Sequence, residues 1–256
     1  MAGAVAARVV APDAQARWAL LEDQRGATPA ERVTALLGAS VTDARDPREL
    51  PIGERDRLVL ALRSQLSGDA LDCVFPCACG ETLELGLSVA DLLDAYAGDG
   101  QARDAHAAAP SGATVRVRAA TGTDHELAAR RAAVDPVAAA SELVERCVIE
   151  ARGPDGEPCA LDAELRELAA SLLAQLDPDA EIALRGVCPA CGETVTAVLD
   201  PGGYVWSELE QWRARTELEV HVLASTYHWS EAEIVALDPA RRARYIELLG
   251  GHAGAA

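Results

Sequence analysis

The pentapeptide Ala78-Cys79-Gly80-Glu81-Thr82 returns unchanged as Ala190-Cys191-Gly192-Glu193-Thr194. Each copy has another cysteine just upstream. In "CPACGETVTAVL" it is Cys188; in "FPCACGETLEL" it is Cys77, with Pro76 where CxxC spacing would put a cysteine. Two beta-hairpin turns that each offer two thiolates can surround one tetrahedral Zn2+. Glycine after the second cysteine lets the turn adopt positive φ and leaves amides facing the sulfurs. Both copies have that glycine, followed by Glu-Thr and alternating apolar residues. The second copy shows the whole knuckle pattern of strand, CPACG and strand. In the first copy CxC has a tighter bite than CxxC, and Cys73, Cys77 and Cys79 all lie close enough to contribute. The expected ligand set is Cys77, Cys79, Cys188 and Cys191 around a structural Zn2+. The competing reading is a degenerate ribbon with Cys77 and Cys79 as buried apolar thiols.

The 108 residues between Cys79 and Cys188 far exceed the spacing of a compact ribbon. A shared site would cross-link two remote points, with the helical middle as an insertion, and closing so long a loop has a large entropic effect. A structural zinc contributes on the order of 10 kcal/mol to folding. The chain has seven cysteines, an odd number at CxC and CxxC spacings, which favours thiols and ligands over disulfides. Cys147 and Cys159 read as structural.

Composition narrows the chemistry. The sequence has no lysine, so a Schiff base and a phosphate-loop lysine are excluded. A net charge of −18 over 256 residues argues against a nucleic-acid binder, which needs a basic face. No apolar run approaches the roughly 20 residues of a membrane span, and the first residues lack a signal-peptide core. A bacterial cytoplasmic location is expected. There is no glycine-rich phosphate loop, HExxH or GxSxG. His221 and His228 share a helical face without a cysteine nearby in sequence, and the carboxylates fall on polar faces and caps. No catalytic residues are assigned.

Patterning predicts an α+β chain, mainly helical, with split ribbon-like hairpins. Residues 1–70 read as an N-terminal helical region: a helix from Asp13 to Gly26, one opened by a Thr28–Glu31 capping box, and one with an apolar stripe of Leu58, Leu60, Leu62 and Leu66. Residues 71–93 hold the first knuckle and a short helix, and 94–114 a loop or linker. Residues 115–180 carry a strand and a helical insertion, including a helix from Pro136 through Ala151. The second knuckle occupies 181–203. Residues 204–250 form aromatic-rich helices, with Ser230 and Glu233 as a capping box and Gly250-Gly251 as a stop. A flexible tail, 251–256, follows. The aromatic stretch holds three of the four tryptophans, which fits core packing or a docking face.

The order of these segments resembles the baseplate (hub assembly) proteins of contractile-tailed phages and phage-tail-like injection systems. The carrying stretches are "ELPIGERDRLVLALRSQLSGDAL", "CACGETLELGLSVADLL", "VRVRAATGTDHELAA", "DPVAAASELVERCV", "LDPDAEIALRGVCPACGETV" and "YVWSELEQWRARTELEVHVLASTYHWSEAEIVALDPARRARYIELL", together spanning most of residues 14–249. The resemblance implies a non-enzymatic assembly factor or structural component, acting on baseplate or hub partners and bound to or built into the particle. Several family members have paired cysteine turns at these two places, and this chain departs at Pro76/Cys77. The expected partner anchors are Trp206, Trp212, Trp229, Arg241, Arg242 and Arg244. The alternative class is a zinc-ribbon nucleic-acid-binding regulator.

Overall fold

A computed structural model of the chain describes residues 8–95 and 103–252. Tyr96 and the tail beyond His252 lie outside the described residues. The chain divides into two compact units, one of Met1–Ala11 with Ala27–Gly202, the other of Pro12–Gly26 with Gly203–Ala256. Helices predominate and every sheet is small and antiparallel. No described helix is long and apolar enough to cross a membrane.

The first unit is built on helix α3 (Ile52–Ser67), after α1 (Ala14–Asp23, in the other unit) and α2 (Pro29–Gly38). Leu58, Leu60 and Leu62 of the expected apolar stripe are buried, and burial extends beyond the stripe. Leu58 through Leu62 are all at most 1% exposed, and Arg55, Arg57 and Arg63 are buried with them. Residues 57–63 are buried all round, so the cations of this helix need partners inside. Arg55 donates to the Ala30 carbonyl (3.2 Å) and Thr34 Oγ1 (2.7 Å). Thr34 in turn donates to Glu126 (2.5 Å), which also accepts from Arg48 (3.3 Å). Gly68, at φ 86°, ends α3, and Arg63 donates to the Gly68 and Ala70 carbonyls beyond it.

Gly122 opens the helix that faces this network. A Cβ there would stand 1.7 Å from Arg55 Nη1 and 3.0 Å from the Pro47 carbonyl. Gly122→Ala is therefore expected to destabilise by about 2–3 kcal/mol through overpacking. Urea unfolding would show it, with Gly38→Ala, which has nothing within 4 Å of the new atom, as the near-neutral control.

Hairpin β1 (Ala70–Pro76) and β2 (Thr82–Ser88) leads into α4 (Val89–Ala95). Next comes a three-stranded sheet of β3 (Asp104–Ala108), β4 (Thr114–Arg118) and β5 (Val148–Arg152), in that order, with α5 (Gly122–Ala132) and α6 (Pro136–Cys147) between β4 and β5. Two expectations change here. The stretch 94–114 contains β3, whose inward residues Ala105 and Ala107 are too small to register as an apolar alternation. The helix from Pro136 ends at Cys147 instead of Ala151, because Val148 starts a strand that pairs with β4, as β-branched residues favour. Helix α7 (Ala163–Leu176) packs Leu165, Ala169 and Leu172 on Val115 and Val117 of this sheet. Hairpin β6 (Ile182–Val187) and β7 (Thr194–Leu199) closes the unit.

The second unit consists of α1, α8 (Pro201–Tyr227, its first two residues counted with the first unit), α9 (Glu231–Val235) and α10 (Pro239–His252). Leu20, Leu21, Leu223, Ile234 and Val235 are buried. Trp18 meets Trp212 edge-on with ring centroids 6.2 Å apart, and the Arg17 guanidinium lies 4.4 Å from the Trp212 ring centre. The Ser230–Glu233 capping box forms as the sequence implies. Gly250-Gly251 does not stop α10, which runs on to His252. Glycine costs about 1 kcal/mol in a helix but does not forbid it.

Candidate metal centre

The two cysteine turns belong to different hairpins, β1–β2 and β6–β7, and they meet. The sulfurs of Cys77, Cys79, Cys188 and Cys191 all lie within 4.8 Å of one another. Each turn is built alike. The Cys77 N–H donates to the Glu81 carbonyl (2.8 Å) and the Gly80 N–H to the Cys77 carbonyl (3.0 Å). In the second turn the Cys188 N–H donates to Glu193 (2.9 Å) and the Gly192 N–H to Cys188 (2.9 Å). Gly80 and Gly192 take φ of 92° and 78°, a conformation that costs glycine nothing and other residues more.

These bonds resolve the irregular first copy. Cys77 occupies the strand-end position that Cys188 occupies, and Cys79 the turn-tip position of Cys191. The first turn has one residue fewer between its cysteines, and both thiols still reach the centre. Strand-end sulfurs are buried while the turn-tip cysteines are exposed. Leu83 and Val195, each following a Glu-Thr pair, pack on Cys77 and Cys188 from the two sides. Cys73 lies outside the cluster, opposite Leu85 within hairpin β1–β2.

Sulfurs meet across the two turns: Cys77 with Cys191 at 3.7 Å and Cys79 with Cys188 at 3.6 Å. A tetrahedron of 2.3 Å metal–sulfur bonds has sulfur–sulfur edges of about 3.8 Å. Four thiols at these separations therefore fit a thiolate-bound metal ion, and small shifts would bring the longer separations to that edge. The electrostatics lean the same way. The Cys191 backbone amide, then that of Ala190 and the neighbouring thiols, outweigh burial and hold Cys188 at about 7. The other three are pushed up. Knuckle amides from Cys79, Glu81 and Glu193 draw Cys77, Cys79 and Cys191 down, but burial and the neighbouring sulfurs outweigh them. Four thiols crowd one space, and only a cation would let all of them ionise.

The expected partner anchors are placed unevenly. Trp206 is 5% exposed, with its Nε1–H donated to Glu210. Arg242 is buried and bonded to Glu219 and the Leu237 carbonyl, both at 2.6 Å. Those two are interior residues, which alternating polarity along a helix does not disclose. Trp212 and Trp229 are half-buried, and Arg241 and Arg244 are exposed. Trp229 stacks on Tyr227 (4.8 Å between ring centres) and meets Tyr245 edge-on (5.0 Å), so one face of the unit carries a packed aromatic group.

Protein-family models, curated proteins and solved structures were compared with the chain, and none matches it.

Proposed function

We propose that the protein is a non-enzymatic assembly factor or structural component for the baseplate hub of a contractile phage-tail-like particle, working through protein–protein contacts on a zinc-stabilised scaffold. The convergence of Cys77, Cys79, Cys188 and Cys191 on one centre supports the metal-stabilised scaffold. The hub role rests on the segment order that resembles that family. Zinc is the ion of choice because a four-thiolate, tetrahedral, closed site is its structural habit. In this role the centre fixes two hairpins remote in sequence and does no chemistry. Contact with hub proteins falls to the accessible members of the aromatic set, Trp212 and Trp229, with Arg241 and Arg244 nearby in sequence; Trp206 and Arg242 support them from inside.

The test is binding of purified hub and baseplate proteins from the source particle, with wild type compared against Trp212→Ala combined with Trp229→Ala. Hot-spot tryptophans contribute 2 kcal/mol or more, so affinity should fall at least about tenfold while circular dichroism stays unchanged. Unfolding of the double variant would make these residues core. Binding of duplex DNA that weakens steeply with salt would favour the nucleic-acid ribbon instead.

A further inference from the structure

Away from the cysteines, the first unit holds a half-open cavity of about 680 Å3, ample for a small organic ligand. Much of its wall is apolar, with Val33, Leu143, Leu173 and Val198 contributing. Asp56, Asp177, Glu181 and Asp200 also line it, together with His125 and a single cation, Arg55. The hydrogen bonds of that cation go elsewhere, although its charge still reaches Asp56. Arg55 is 1% exposed, donates to the Ala30 carbonyl and Thr34 Oγ1, and lays Nη1 against Gly122.

Among the carboxylates Asp56 stands out. Asp177 accepts from the Gly53 N–H at 2.9 Å, whereas no described residue donates a hydrogen bond or salt bridge to Asp56. Burial, then the Asp200 charge, push its carboxyl up to about 7. Burial and the Arg55 charge lower His125, which favours its neutral form. The cavity thus sets the Asp56 carboxyl, which no described hydrogen-bond donor reaches, in an apolar surrounding where the Arg55 charge only partly offsets burial and the Asp200 charge, and Coulomb attraction for an incoming cation is strengthened there. A bare metal ion does not suit the spacing. Among the described residues, only the four cysteines bring three or more ligand atoms within 4.8 Å of one another.

We propose that this cavity binds a small amphipathic organic cation, its ammonium group against the Asp56 carboxylate with Asp200 alongside, and its hydrocarbon body along Val33, Leu143 and Val198. The head gains a charge-assisted hydrogen bond and the body removes apolar surface from water. This activity is independent of the assembly role.

Isothermal titration of the full chain at neutral pH and physiological salt would compare phenylbutylammonium with neutral phenylbutanol. Salt suppresses adsorption to the acidic surface. The ammonium should bind at least about tenfold more tightly than the alcohol, the usual scale of one charged hydrogen bond. Asp56→Asn should abolish that difference and leave alcohol binding unchanged. Ala174→Trp, which fills the cavity from its rim, should weaken both. Asp56→Asn also removes a charge the interior disfavours. Because the folded carboxyl titrates near 7 against an ordinary 3.8, wild-type stability falls as pH rises through that window, and the Asn variant should lack this fall. Equal affinity for both probes would overturn the proposal, as would ammonium binding that survives Asp56→Asn or Ala174→Trp.

Discussion

Cys188→Ser is expected to lose the bound metal and to lower stability by several kcal/mol, more than any other single substitution considered. Cys188 is 1% exposed and is the sulfur most easily ionised, so its replacement removes the anchor of the set. A metal held by these thiols would cross-link hairpins separated by 108 residues between Cys79 and Cys188, and structural zinc sites contribute on the order of 10 kcal/mol. Chelation of the wild type should reproduce the loss. Elemental analysis should read one metal ion per wild-type chain and none in the variant, with a matching drop in the unfolding midpoint. Alkylation provides a second readout. Cys159 is exposed and should react at once, while the four ligands should react only after chelation. Cys147 is fully buried, and burial, with Asp124 adding to it, pushes its thiol up to about 11; it should stay silent until the chain unfolds. Metal-free wild type, as stable as Cys188→Ser, would sink the metal centre.

Asp124→Asn should cost about 3–5 kcal/mol, the range for breaking a buried ion pair. The carboxylate is 1% exposed. It accepts from Arg118 twice (2.6 and 3.1 Å), from Arg146 (3.2 Å), and from both the N–H and hydroxyl of Thr121 (3.0 Å each). Asparagine can still cap α5 but leaves two guanidinium groups facing a neutral amide. Burial alone would raise this carboxyl; the Arg118 and Thr121 bonds outweigh it and hold it at about 2, against an ordinary 3.8. The sign follows. Stability from this group is complete above the unfolded value and is lost as pH falls from about 4 toward 2. The gap between wild type and Asp124→Asn should narrow over that window in acid denaturation, and a constant gap would count against the charged network.

Local features were readable from the residues because their free energies are local. The Thr28–Glu31 and Ser230–Glu233 boxes, the stop at Gly68, and both glycine-bearing knuckles form as their short motifs imply. The four clustered cysteines were legible as a candidate set because the CxC and CxxC turns carry their own geometry, while only the fold separates Cys73 from Cys77 and Cys79. Strand β3 is silent in the sequence because alanine leaves no apolar signal. The start of β5 is silent because only pairing with β4 decides against continuing the helix.

The sequence by itself therefore determined most of the helices, their caps and the two thiol-bearing turns. Tertiary structure alone decided that Cys77 faces Cys191 and Cys79 faces Cys188, that the middle of α3 is buried with Arg55, Arg57 and Arg63, and that Asp56, His125 and Asp200 share one cavity. Each of these joins residues tens to more than a hundred positions apart. Their juxtaposition comes from packing the hairpins and helices together, and no periodicity or motif within a single segment encodes it.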